Sequence, residues 1–141
     1  SLRLEKGFGI WSAEFTQGYT PGMTGMDRWI DWEKEEFIGQ AEAIKERDGN
    51  GPAQKLVMLE IDADDADASG YEPVWNNDSL VGFVTSGGYG HTLKKSLAMA
   101  LVNNDLANEN QKLKVHVVGV EKDATVIQAS PYDPEGKVMR V

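Results

Sequence analysis

The sequence predicts a mostly β protein with one helix in its N-terminal part, closing as a small antiparallel Greek-key or jelly-roll-like barrel of about six strands. Three observations carry that expectation. After Pro52 the chain becomes a series of short runs rich in β-branched residues. Clusters of Gly, Asn and Asp separate those runs at regular spacing, as hairpin turns require. Finally, 141 residues with 40% hydrophobic content are enough for one core and too few for two.

Taken in order, residues 1–31 are rich in Gly and aromatics (Phe8, Trp11, Phe15, Tyr19, Trp29) without steady periodicity, and Thr20-Pro21-Gly22 marks a turn. This reads as a connecting segment. A helix is predicted over about 34–47, because Phe37, Ile38, Ala41 and Ile44 share one helical face. Acids lie early in it and Lys45 and Arg47 late, as the helix dipole favours. Asp48-Gly49-Asn50-Gly51-Pro52 ends it. Strands are then predicted at Lys55–Ile61, Tyr71–Trp75, Leu80–Thr85, Ser96–Val102, Leu113–Val120 and Ala124–Ala129. Asn76 to Ser79 supplies residues that tolerate the positive φ of a hairpin turn, and a further turn falls at Asn103 to Asn110. Pro131 and Pro134 exclude a central strand from Ser130–Val141. The expected division is a connecting segment at 1–52 and a barrel domain at 53–141.

Composition narrows function by exclusion. The formal charge of −9 argues against sequence-independent nucleic-acid binding, which needs clustered cations. No apolar run approaches the ~20 residues of a membrane-spanning helix, so neither nucleic acid nor membrane is an expected partner. The absence of cysteine removes disulfides, thiolate catalysis and cysteine-ligated zinc. The default residence is the bacterial cytoplasm or the mitochondrial matrix.

Several motifs resemble known sites and fail on inspection. The acidic stretch Asp62-Ala63-Asp64-Asp65-Ala66-Asp67-Ala68-Ser69-Gly70 invites a calcium loop. With Asp65 in first position, however, the twelfth is Asn76 instead of a bidentate Glu, and Pro73 falls inside, so no metal site is assigned. The run Thr85-Ser86-Gly87-Gly88-Tyr89-Gly90-His91-Thr92-Leu93-Lys94 lacks the Gly-Lys pair and following helix of a phosphate-binding loop. It also lacks the third glycine of a dinucleotide fingerprint, and the expected role is a backbone crossing or tight turn between strands. His91 and His116 belong to no ligand cluster, and His116 shares the outward face of its strand with Lys114. No nucleophile elbow exists, so no catalytic residue is assigned within the chain. The four Trp residues are expected mainly in packing.

Ordered signatures from end to end give the chain a family resemblance. Leu2-Arg3-Leu4-Glu5-Lys6-Gly7 followed by Trp11 resembles the LRLE-x-G…(W/Y) segment of the glycine cleavage T-protein, or aminomethyltransferase, family. Tyr19-Thr20-Pro21, Gly25-Met26-Asp27-Arg28, Phe37-Ile38-Gly39-Gln40 and Ala43 are similar to its connecting helix region. Glu72-Pro73, Val81-Gly82, Thr85-Ser86-Gly87 and Lys95-Ser96-Leu97-Ala98 are similar to its barrel landmarks. The acidic loop and Tyr132-Asp133-Pro134-Glu135-Gly136 point toward the dimethylglycine and sarcosine dehydrogenase branch. Met23 departs from the pattern, where many members carry Glu.

The resemblance implies a three-part enzyme in which tetrahydrofolate enters a central funnel and accepts a one-carbon unit from a methylated amine or amino acid. Arg3 of the LRLE segment is the first folate-binding candidate, since a guanidinium fork binds carboxylate or pterin oxygens bidentately and also stacks. The other reading of Arg3 is a structural ion pair with a nearby acid. Trp11 and Tyr89 are further candidates for the folate entrance. The family's catalytic Asp, and the FAD domain of the dehydrogenase branch, lie upstream of these motifs, so this segment is not expected to catalyse alone. Two alternatives remain: a standalone T-protein-like demethylase, and a non-catalytic interaction domain that keeps the barrel without a folate site.

Overall fold

A computed structural model describes residues 1–140. Six strands form one closed antiparallel barrel: β1 (Gln54–Ile61), β2 (Pro73–Asn76), β3 (Ser79–Gly90), β4 (Lys95–Asn103), β5 (Lys112–Val117) and β6 (Val120–Ile127). Their order around the barrel is β1-β4-β3-β2-β5-β6. Strands β2, β3 and β4 form a meander and β1 returns beside β4, which is the Greek-key arrangement. Closure leaves no free sheet edge. The predicted fold class is therefore the observed one.

Alternation along the strands explains the core. Val57, Leu59 and Ile61 of β1, Ala98, Ala100 and Val102 of β4, and Val115 and Val117 of β5 fill the barrel interior. The opposite residues of β1 and β4, Met58, Leu97 and Met99, form a second cluster on the outside with Leu4. Strand β4 is thus buried on both faces, as its unbroken apolar run from Leu97 to Val102 requires. The cover on that outer face is α1 (Leu2–Glu5), a single turn built from the LRLE motif.

The N-terminal part contains two further helices, α2 (Pro21–Thr24) and α3 (Gln40–Asp48). The predicted helix over 34–47 begins six residues late. Gly39, at φ +85°, sits in the left-handed region just ahead of it, so Phe37 and Ile38 fall outside the helix and Ile38 is fully exposed. Apolar spacing suggested a helical face there, but no packed surface continues it.

Strand boundaries also moved for physical reasons. Tyr71 has positive φ, so β2 starts at Pro73. The glycine-rich stretch is not a tight turn but the second half of β3, past a bulge at Thr85. Its glycines serve close approach: a Cβ on Gly87 would lie 2.2 Å from the Ala68 carbonyl oxygen. The turn comes later, at His91 to Lys94. Strand β5 ends at Val117, not Val120, because Val118 and Gly119 take φ of +50° and +78° and form the β5–β6 hairpin turn. Strand β6 accordingly runs from Val120 rather than Ala124, and ends at Ile127 rather than Ala129. Val141, the last residue of the expected closing segment, lies outside the described residues.

Candidate functional site

The site begins with how α1 is fixed to the barrel. Glu5 is fully buried, and its Oε1 accepts the backbone N–H groups of Thr92 (2.7 Å) and Leu93 (2.8 Å) at the β3–β4 turn. The Glu5 carbonyl accepts the Tyr132 N–H at 2.9 Å. Lys6, also buried, pairs with the Asp133 carboxylate at 3.5 Å and donates to its carbonyl. Gly7, at φ +68°, passes so close to the Ala129 carbonyl that a Cβ there would lie 2.0 Å from its oxygen. The sheet and the C-terminal segment together therefore clamp the LRLE turn.

On that clamped turn stands Arg3. Its Nη1 donates to the Phe8 carbonyl at 2.8 Å, touches the Met99 sulfur at 3.9 Å and lies 3.8 Å from Glu14 Oε2. Its side chain keeps one third of its surface open to solvent. Among the described residues no acceptor is within hydrogen-bond reach of Nε or Nη2, so the bidentate edge of the guanidinium is free.

Glu14 is completely buried. Its Oε2 accepts the Ile10 N–H at 2.7 Å, and its Oε1 accepts the Ser86 hydroxyl at 2.6 Å. The carboxylate thereby closes the loop that follows α1 onto β3. Gly9 is needed inside it, because a Cβ there would lie 2.7 Å from the Phe15 ring. The closed loop turns Phe8, Ile10 and Trp11 outward, with Trp11 81% exposed.

Arg3 is bonded to the loop that exposes Trp11, and Tyr89 lies on the side of β3 away from α1. A Cβ on Gly88 would meet Leu4, and one on Gly90 would meet Glu5, so both glycines face α1. Tyr89, between them, points the opposite way. It stacks edge-on with His91 at 5.1 Å and lines a cleft of about 970 Å³ at the barrel mouth with the acidic loop and Lys94. In that loop Asp65 pairs with Lys122 at 3.1 Å, and the Lys122 hydrogen bond holds the Asp65 carboxyl below its ordinary range. Asp67 accepts the Ser96 hydroxyl at 2.7 Å. Among the described residues no group of three metal-ligating side chains converges. His116 lies on the outward face of β5, as expected, stacked 5.4 Å from Trp75.

Sequence reading put Arg3 at the head of the site but passed over Glu14 and Glu5. The available signal for Glu14 was an acid isolated in an apolar loop, three residues past Trp11. The glycine-rich end of β3 leads through a turn into β4 and not into a helix.

Fold and site together define a closed Greek-key barrel module, clasped on one outer face by an N-terminal segment that offers an arginine fork. Residues 54–133 match the model of the glycine cleavage T-protein C-terminal barrel domain. The chain belongs to that family. It is 35% identical over 128 residues to dimethylglycine dehydrogenase, mitochondrial, of Rattus norvegicus, covering 91% of this chain and 15% of the relative. It is 33% identical over 138 residues to an aminomethyltransferase of Synechocystis sp., covering 97% of this chain and 37% of the relative. Glycine cleavage system aminomethyltransferase T from Bartonella henselae shares the fold, with a TM-score of 0.83 at 23% identity over 94% of this chain and 37% of that one. The chain therefore spans a minor part of each of these relatives.

Proposed function

We propose that this segment forms the folate-side wall of a tetrahydrofolate-dependent enzyme that removes one-carbon units from a methylated amine or amino acid. The observation that carries this reading is the Arg3 guanidinium, held by its Nη1 on a clamped turn, with no acceptor on its Nε/Nη2 edge among the described residues. That edge matches a folate: its glutamate carboxylates and pterin oxygen are planar acceptors suited to a bidentate fork. Trp11, exposed on the same loop, offers an aromatic face to the ring system. When bound, the reduced folate supplies the amine nitrogens that accept the one-carbon unit. The residues of this chain bind and orient it. Tyr89, on the opposite face of β3, is not part of this wall in our reading.

Proton transfer is assigned to residues outside these 141, where the family resemblance puts the catalytic Asp, since a general base must lie within hydrogen-bond reach of the reacting amine. Residues 1–52 act as the end of a preceding folate-binding domain and residues 53–141 as the closing barrel. Any flavin belongs to a further domain, and the near-equal identities to the dehydrogenase and the aminomethyltransferase leave that branch to flavin absorbance of the complete protein. Mitochondrial matrix or bacterial cytoplasm fits such an enzyme. No helix among the described residues is long and apolar enough to cross a membrane.

Calorimetric titration of the complete protein with tetrahydrofolate tests this reading. Arg3→Ala is expected to weaken binding about tenfold to a hundredfold, the range for loss of charge-assisted hydrogen bonds. Absence of folate binding, or unchanged affinity after Arg3→Ala, overturns it.

A further inference from the structure

We infer that Glu14 is a positioning residue for folate binding: a buried anion that aims the Arg3 fork without touching the ligand. The inference rests on the proposed folate reading and deepens it. Arg3 has a long, partly exposed side chain, and its hydrogen bond to the Phe8 carbonyl and its contact with the Met99 sulfur both fall on Nη1, so they fix one end of the guanidinium and not its direction. The Glu14 carboxylate, 3.8 Å from the same Nη1, adds a directional electrostatic restraint from inside the protein. It acts on one end of the guanidinium only, and among the described residues Nε and Nη2 have no acceptor.

Glu14 is itself rigid. Ile10 N–H and Ser86 O–H hold its two oxygens separately, and those donors come from different parts of the fold, the N-terminal loop and strand β3. The side chain is completely buried, so no ligand reaches it. Its Oε2 lies 3.8 Å from the cation. Two neutral hydrogen bonds could be met by an uncharged side chain, and the charge is what those contacts leave unexplained.

Glu14→Gln separates the two roles. The amide oxygen can accept from Ile10 N–H, and the amide nitrogen can donate to the Ser86 oxygen, so the loop keeps its hydrogen bonds and loses only the negative charge. A double-mutant cycle with Arg3→Ala on the complete protein, read by tetrahydrofolate titration, isolates the coupling. We expect Glu14→Gln to weaken folate binding about tenfold in the wild-type background and by less than about twofold when Arg3 is already Ala. Glu14→Asp, which keeps the charge on a shorter arm, should recover part of the loss.

Equal weakening in both backgrounds would assign Glu14 a general structural role and overturn the inference, as would wild-type affinity in Glu14→Gln. If Arg3→Ala itself leaves folate affinity unchanged, the folate reading fails first. If Glu14→Gln does not fold, Ser86→Ala serves instead. It frees one Glu14 oxygen and must show the same dependence on Arg3, and its absence there overturns the inference equally.

Discussion

Replacing Glu5 with Ala should loosen the clasp on which the site is built. Glu5 Oε1 accepts two backbone N–H groups at the β3–β4 turn, from Thr92 and Leu93, and the side chain is fully buried. Hydrogen bonds to a charged group contribute about 1.5–3 kcal/mol each, and the one buried methylene that Ala lacks, Cγ, adds roughly 0.8 kcal/mol. Against this, the mutation removes the desolvation cost of a buried carboxylate whose Oε2 has no partner among the described residues. The net expected loss is about 3 kcal/mol. Glu5→Gln retains an oxygen for both N–H groups and weakens each bond by about half, so it should cost roughly 1 kcal/mol. Urea unfolding with linear extrapolation measures both variants. A loss below about 1 kcal/mol for Glu5→Ala, or equal losses for Ala and Gln, would show that the carboxylate does not hold α1 to the barrel.

Two further outcomes are expected. Val118 is a β-branched residue at φ +50°, 76% exposed, followed by Gly119 at φ +78°. Val118→Asn converts this hairpin to the preferred Asn-Gly pair for two positive φ angles and should stabilise the protein by about 1 kcal/mol in thermal or urea unfolding. No gain would mean the turn is unstrained. On the outer barrel surface, the Lys114 hydrogen bond holds the Glu121 carboxyl below its ordinary range and Glu121 holds Lys114 above its own. A carboxyl lowered on folding adds stability above its unfolded value, and that contribution is lost as pH falls through the lowered folded value. Lys114→Met should therefore move the Glu121 titration, followed by carboxyl carbon NMR, upward toward the ordinary carboxylate range. An unmoved titration would contradict the pairing.

The strands were readable because the barrel interior imposes period-two alternation on β5, because β4, buried on both faces, is an unbroken apolar run, and because Asn77 and Asp78 advertise the β2–β3 turn. The misplaced boundaries trace to residues whose conformation is set from elsewhere in the fold. Val118 reads as strand and forms a turn, while Gly87, Gly88 and Gly90 read as turn and form strand, because the Ala68 carbonyl, Leu4 and Glu5 lie over them. Neither reversal is visible without those tertiary neighbours. At the site, Arg3 was legible from a motif, but its partner Glu14 is brought to it by a loop closing on Ser86, a contact 72 residues apart in sequence. Tyr89 shows the reverse case. The resemblance made it a candidate for the folate entrance, and strand alternation sets it on the side of β3 opposite α1.

The most direct measurement of the central claim is the nitrogen-15 resonance of the Arg3 Nε–H group in the complete protein during titration with tetrahydrofolate. If the free fork binds the folate, the signal shifts and broadens along the binding isotherm and then saturates, with arginines far from α1 unaffected. An Arg3 resonance that stays in place while folate binds would contradict the account, because the ligand would then rest on some other surface.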